Sequence, residues 1–227
     1  MKISERTSDK VERKLIDDIL SGNLQAGTTL PPERELAKTF SVGRPTVREA
    51  LQRLERDGWV TARKGQPSIV NDYWNQGNLT MLDKIVQNQQ SVTDEFILYL
   101  LELRCSLTPT YIQDAVANNQ AKVVAVLAYL EDLKDDADSY AAFDWKLQKE
   151  FARLSPNPMY LLILNSFDSF YLRMATRYFS IDAHRNLSLQ YYNELLTVAL
   201  KGDAVEAEKM ARQVMKRSLT LWKNRND

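Results

Sequence analysis

The chain has 227 residues, with 30 Lys+Arg balanced by 30 Asp+Glu, 44% hydrophobic residues, one Cys and one His. That length suits one large domain or two modest ones, and the apolar fraction belongs to a folded chain rather than a long disordered one. One Cys excludes an intrachain disulfide, one His excludes any metal site built from several imidazoles of one chain, and no run approaches the roughly 20 apolar residues of a membrane span.

The opening stretch MKISERTSDKVERK lacks the apolar core of a signal peptide, so a cytoplasmic location is expected. Glycine is unevenly spread: Gly22, Gly27, Gly43, Gly58, Gly65 and Gly77 lie in the first third, and Gly202 alone follows. Turn-rich structure is therefore expected first and long helices after it. From Arg34 to Lys64 there are eight Lys/Arg and four Asp/Glu, a net of +4. Zero overall charge is thus compatible with a local polyanion site, although a solvated mixed-charge face would look the same on charge alone.

Residues 8–21 read as a helix, with Ser8 as cap, Val11, Leu15, Ile16 and Ile19 at helical spacing, and Gly22 at the exit. After a turn at Gly27 and the pair Pro31-Pro32, a short helix is expected from Glu33 to Phe40, with Glu33 and Glu35 in the turn where the dipole favours acids. Ser41-Val42-Gly43 is a tight connection. A third helix follows from Arg44 to Asp57, with Pro45 in its first turn, Val47, Ala50, Leu51 and Leu54 as its apolar stripe, and Gly58 closing it. Two short helices joined by such a turn form a helix-turn-helix. Trp59–Ala62 and Pro67–Val70 have strand character around a tip at Arg63-Lys64-Gly65-Gln66, a β-wing. The first domain, 1–72, therefore reads as a winged helix-turn-helix.

The chemistry of that domain suits DNA. Arg44, Thr46 and Arg48 crowd the N-terminal end of the third helix, the end that enters a major groove. Arg forks onto guanine, and Thr meets a phosphate or a thymine methyl. Arg34 is placed to reach a phosphate, and at the wing tip Gly65 lets backbone enter a narrow groove while Lys64 adds charge. Arg53 and Arg56 read as solvated surface charges.

Residues 73–78 read as a linker, whose Tyr73 and Trp74 are expected to pack against a domain. From 79 to 227 the pattern is helical throughout: 79–86, a long helix capped by Ser91 with Asp94 in the box position, then 121–137, 139–154, 159–179, 186–200 and 204–223. Pro109 is expected to kink or break the long helix. The fold class is thus α+β, a winged helix-turn-helix domain followed by an all-α bundle, and bundles hold ligands between facing helices. Tyr171 and Tyr178 lie two turns apart on one face, Tyr192 and Trp222 lie on the last two helices, and Arg104 projects from the long one. Core packing and a ligand role are both open for the tyrosine pair, and core or dimer packing for Trp222. Cys105 reads as a small buried apolar residue and His184 as a surface loop residue. No nucleophile–base pair or phosphate loop supports an enzyme.

The stretch PPERELAKTFSVGRPTVREALQRLERDGWV resembles the N-terminal signature of the GntR family of bacterial transcriptional regulators, in Pro31–Leu36 and Arg44–Leu51. The resemblance implies double-stranded operator DNA as partner, contacted by Arg34, Arg44, Thr46, Arg48, Lys64 and Gly65. An all-helical second domain resembles the branch of that family whose members bind a metal through one Asp and three His. Here Asp144 stands, but Gln148 occupies a His position, and the later ones fall near Asn193 and Val214, so no metal is expected. The chain is similar nearly throughout to the metal-free fatty-acid regulators of that branch, most closely in SPNPMYLLILNSF and YLRMATRYF. That resemblance implies a cytoplasmic homodimer with no cofactor, released from DNA by a long-chain acyl-CoA effector held by Arg104, Tyr171, Tyr178, Tyr192, Ser218 and Trp222. Met215 and Arg217 depart from the pattern, which has a small residue and an acid there, and Pro45 replaces a polar residue.

Overall fold

The computed structural model describes residues 6–63, 65–88 and 93–224. It divides into two compact units, Met1–Ser91 and Val92–Asp227.

The first unit contains α1 (Thr7–Leu20), α2 (Glu33–Thr39), α3 (Arg44–Arg56), β1 (Val60–Arg63), β2 (Gln66–Val70), α4 (Tyr73–Gln76) and α5 (Thr80–Asn88). The α1 stripe Val11, Leu15, Ile16 and Ile19 is buried as its spacing demands. Ser8, expected as the cap, is buried as the second residue of the helix, and Arg6 holds the cap position, its N–H donating to Asp9 Oδ2 at 3.2 Å. Between α2 and α3 the chain reverses through Ser41 at φ 53, the left-handed region, and Val42 N–H donates to Ala37 O at 3.0 Å. Val47, Ala50 and Leu54 fix the inner face of α3. Gly58 leaves α3 at φ 92, a conformation costly for any residue with a Cβ. The strands pair antiparallel with Val60 opposite Val70 and Arg63 opposite Gln66, the register shifting between Thr61 and Arg63. Thr29 adds an isolated bridge to Ile69.

The segment 73–78, expected as a linker, is ordered by Asp72, whose carboxylate accepts from Trp74 and Asn75 N–H and starts α4. Tyr73 packs on the buried ring of Trp59, centroids 5.5 Å apart, while Trp74 is exposed. Met81 and Ile85 of α5 are buried in the same core as Leu15, Leu54 and Trp59, so α5 belongs to this unit. Arg53 departs from the solvated reading. It reaches back from α3 to Asp9 (2.5 Å) and Glu12 (3.4 Å) on α1, and Glu12 also takes Lys84 of α5 at 2.9 Å. An acid at 5% side-chain exposure needs such partners.

The second unit contains α6 (Asp94–Leu127), a 3-10 turn (Ala128–Asp132), α7 (Ala137–Leu154), α8 (Met159–Asn165), α9 (Tyr171–Phe179), α10 (Asp182–Lys201) and α11 (Ala204–Lys223). α6 packs against α7, α10 and α11, and α7 also carries α8 and α9. The cap of α6 is Thr93, whose Oγ1 accepts from Phe96 N–H at 3.2 Å; Ser91, the expected cap, lies outside the described residues. α6 continues through the buried Pro109. The expected break falls instead at Asn119, φ −145 and ψ 40, whose side chain donates to Leu154 O at the end of α7. The helix expected over 121–137 is therefore the end of α6 plus the 3-10 turn. It stops because Asp136 caps α7, accepting from Ser139 N–H at 2.8 Å. The helix expected over 159–179 is interrupted between α8 and α9, where Phe167 and Phe170 turn inward and Phe170 meets Phe96 at 6.0 Å. Gly202 ends α10 at φ 71. Among the described residues no helix is long and apolar enough to cross a membrane.

Candidate nucleic-acid interface and bundle interior

In the first unit, the stripe that buries Val47, Ala50 and Leu54 turns Arg44 and Arg48 outward at the start of α3, with Thr46 half-buried beside them. Gly43 is the N-cap and no side chain caps the helix, but Pro45 has no N–H and Thr46 N–H donates to Gly43 O at 3.1 Å, so the donors at this end are chiefly side chains. Arg34 is exposed in the first turn of α2. Among the described residues neither Arg34 nor Arg44 is held in an ion pair. Arg48 is held: Nε and Nη2 donate to Glu33 Oε1 and Oε2 at 3.2 and 2.8 Å. The Arg48 guanidinium holds the Glu33 carboxyl below its ordinary value, and the carboxylate raises Arg48 in return. Gly65 sits exposed at the wing tip with φ 74 and no neighbour within reach of a Cβ, so its left-handed backbone, not crowding, favours glycine. Lys64 lies outside the described residues.

In the second unit, a buried polar cluster centres on Asp144 of α7, which is 2% exposed. Arg104 of α6 meets it from both ends of its fork, Nη1 to Oδ2 at 3.0 Å and Nη2 to Oδ1 at 3.1 Å. Tyr171 donates to Oδ2 at 2.5 Å and Tyr192 to Oδ1 at 3.0 Å. Gln148, one turn along α7, donates to Oδ1 at 3.2 Å and accepts from Tyr111, which also bonds Thr108 at 2.8 Å. Burial would pull the Arg104 guanidinium down, but the adjacent Asp144 holds it well above its ordinary value. Burial drives Tyr171 and Tyr192 well above the usual phenol range, with Asp144 adding to it. The position that carries a metal-ligating Asp in the wider branch thus holds a carboxylate paired with a guanidinium. Among the described residues no three His, Cys, Asp or Glu side chains gather as a metal could use them.

Beside this cluster stand Tyr178, Ser218 and Trp222, all buried. Tyr178 is pushed up to about 12 by burial, against a smaller lowering from Ser218. His184 corrects its surface reading: it is 2% exposed inside α10, stacked on Tyr178 at 4.2 Å, with Nδ1 2.7 Å from Tyr178 O. Trp222 closes the same group, its Nε1 donating to Asp94 O at 3.1 Å. Cys105 is half-buried rather than fully buried.

Three small cavities border Arg104. One of about 30 Å³ is apolar, lined among others by Ile97, Leu101, Met174 and Phe179. A second of about 20 Å³ lies by Trp145, Leu164 and Phe167. The third, about 10 Å³, lies among Asp144, Tyr178, Tyr191, Tyr192, Met215 and Ser218. None of the three has room for a long chain as it stands. Around the third, Arg104 Nε and the Tyr191 hydroxyl are buried without a hydrogen-bond partner. Tyr191 and Val214 are shared with a larger cavity of about 210 Å³ that also touches Gln190, Glu194, Gln213 and Arg217. The 10 Å³ cavity thus shares lining residues both with the apolar cavity and with the larger polar one.

Of the residues singled out in the sequence, Arg104, Tyr171 and Tyr192 are joined directly through Asp144, and Tyr178, Ser218 and Trp222 lie next to them. Sequence reasoning read Asp144 and Gln148 only as positions of a metal-binding pattern, and missed Thr108, Tyr111 and Tyr191 altogether. The signal for part of it was present: 104, 108 and 111 share one face of α6, and 144 and 148 one face of α7.

Known proteins with the same features are numerous. The family described as bacterial regulatory proteins, gntR family, matches residues 7–70, and the FadR C-terminal domain matches residues 71–227. A "Fatty acid metabolism regulator protein" of Shewanella pealeana is 35% identical over 216 residues, 95% of this chain and 90% of the relative. One of Haemophilus influenzae is 35% identical over 212 residues, 93% and 88% of the two chains. Among solved structures, Lar, described as controlling expression of the Listeria monocytogenes agr system, matches 96% of this chain and 97% of its own with a TM-score of 0.62 at 17% identity, a likeness of fold. With a winged-helix unit and a helical bundle that match these two domains in order, the chain belongs to the GntR family of bacterial transcriptional regulators, in the group that carries the FadR C-terminal domain.

Proposed function

We propose that the protein is a homodimeric regulator of fatty-acid metabolism that binds operator DNA through its winged-helix unit and releases it when a long-chain acyl-CoA enters the bundle. The observation that carries the effector reading is the charge-balanced polar cavity with unpartnered donors, which shares its lining with an apolar cavity and with a larger polar one. Arg104 and Asp144 cancel, and the surrounding phenols are neutral. A neutral acceptor such as a thioester carbonyl suits such donors, whereas a free carboxylate would bring a buried charge with no cation left to meet it. The apolar cavity suits the start of the chain, and Arg217 beside the larger cavity suits a phosphate.

Cavities of this size mean that the effector binds an opened form. It changes DNA affinity only by the difference in its own affinity for the two forms. Met215, buried beside the small polar cavity, and Arg217 support a second reading, a GntR regulator that answers a different acid or thioester. The test is a mobility shift on an operator selected from random DNA, titrated with long-chain acyl-CoA, short-chain acyl-CoA and free fatty acid. Release by the long-chain thioester alone is expected. Release by the short-chain compound alone favours the second reading. Unchanged binding with every compound contradicts the effector assignment and leaves DNA binding intact.

A further inference from the structure

We propose that Glu33 is a positioning residue for sequence readout, which holds Arg48 as a fixed, one-edged donor at the tip of α3. The inference rests on the reading that this tip enters a DNA groove. An arginine offers two edges to a planar acceptor pair, one made by Nε and Nη2, the other by Nη1 and Nη2. Glu33 occupies the first with two hydrogen bonds, at 3.2 and 2.8 Å. The end-on edge of Nη1 and Nη2 stays open, and it is the edge that can fork onto guanine O6 and N7.

The arrangement is built into the fold. Glu33 opens α2 immediately after Pro31-Pro32, and Arg48 lies one turn into α3. The left-handed Ser41 and the Ala37–Val42 hydrogen bond set the two helix starts side by side. An exposed ion pair contributes little to stability, and Arg48 has 62% side-chain exposure, so fold stability gives no reason for the pair. A carboxylate beside a phosphate-binding surface moreover opposes nonspecific DNA binding. Its role follows from that cost: it lowers affinity for any duplex while orienting one guanidinium for a particular base pair. Arg34 and Arg44, which have no such clamp, remain free to reach phosphate or base.

The test uses the full chain and an operator selected from random DNA by the wild-type protein. Affinity for operator and for random duplex is measured for the wild type, Glu33→Gln, Arg48→Ala and the double variant, and each variant is put through the same selection. Glu33→Gln is expected to bind random DNA more tightly and to lose about tenfold in the operator-to-random ratio, with one symmetry-related base pair of the selected site becoming degenerate. Arg48→Ala is expected to lose preference at that same pair, and Glu33→Gln to add less than about twofold in its background. Thermal midpoints within a degree or two of wild type are expected, since the pair is exposed. A Glu33→Gln ratio equal to wild type overturns the proposal, as does an equal loss in the Arg48→Ala background. A uniform loss over all sequences also overturns it, because Arg48 would then touch only backbone. A wild type that selects no sequence removes the DNA reading itself, a result distinguishable from all of these.

Discussion

Arg104 and Asp144 show what a residue-scale reading of the sequence reaches and where it stops. Arg104, Tyr171 and Tyr192 were legible as a polar set on apolar helices, but their hub was read only as a remnant of a metal-binding pattern. Asp144 lies on a helix whose spacing already accounts for it, and nothing local announces that three other helices aim polar groups at it. Thr108, Tyr111 and Tyr191 were hidden for the same reason, each being a polar tip on an otherwise apolar face. His184 was misread because it stands alone near an expected break, whereas the ring is covered by Tyr178. With one guanidinium and one carboxylate buried together, removal of either leaves the other uncompensated. Arg104→Met is expected to lower stability by about 3–5 kcal/mol, and the Arg104→Met/Asp144→Leu double variant by clearly less, as read from urea unfolding. Equal losses in the two variants would mean that packing, not charge, dominates there.

At the scale of elements, caps and stripes fixed most of what could be read. The winged-helix elements fall within a residue or two of expectation, because Pro45, Gly58 and the Arg63–Gln66 tip are local signals. The bundle was harder. Pro109 looked like the break in α6, but its surroundings are buried and helical, and the break moved to Asn119, where the side chain finds the Leu154 carbonyl. The split between α8 and α9 falls in Asn165-Ser166-Phe167-Asp168-Ser169, where turn-forming residues did mark it, and the inward turn of Phe167 and Phe170 fixes it there. The same helices bring Tyr111, Tyr171, Tyr178, Tyr191 and Tyr192 into the interior, and burial raises all of them. A phenol raised on folding binds its proton more tightly in the folded state. Its contribution is complete below the ordinary value near about 10 and is lost as pH climbs through the folded value. Stability is therefore expected to fall steeply above about pH 10, with tyrosinate absorbance rising together with loss of helix. Gradual ionisation of these phenols with the helices intact would contradict the burial described.

At the scale of the whole molecule, the order of the two domains and their classes were legible from glycine placement, helical periodicity and the signature in Pro31–Leu51. The helical turn within 73–78 was not, because a single capping Asp72 decides it, although the packing of the half-buried Tyr73 was expected. The regulatory account joins two sites by one free-energy difference: a ligand that weakens DNA binding must itself bind more weakly when DNA is bound, by the same factor. Reciprocity is a stricter demand than release alone, since it excludes competition by aggregation or detergent-like effects of the ligand. The most direct measurement is calorimetric titration of long-chain acyl-CoA into the free protein and into its operator complex, at several temperatures. The account predicts binding to the free protein with a negative heat-capacity change from burial of the chain, and an affinity for the complex weaker by the factor that acyl-CoA imposes on DNA binding. Equal affinity for both, or no heat beyond dilution, would contradict it.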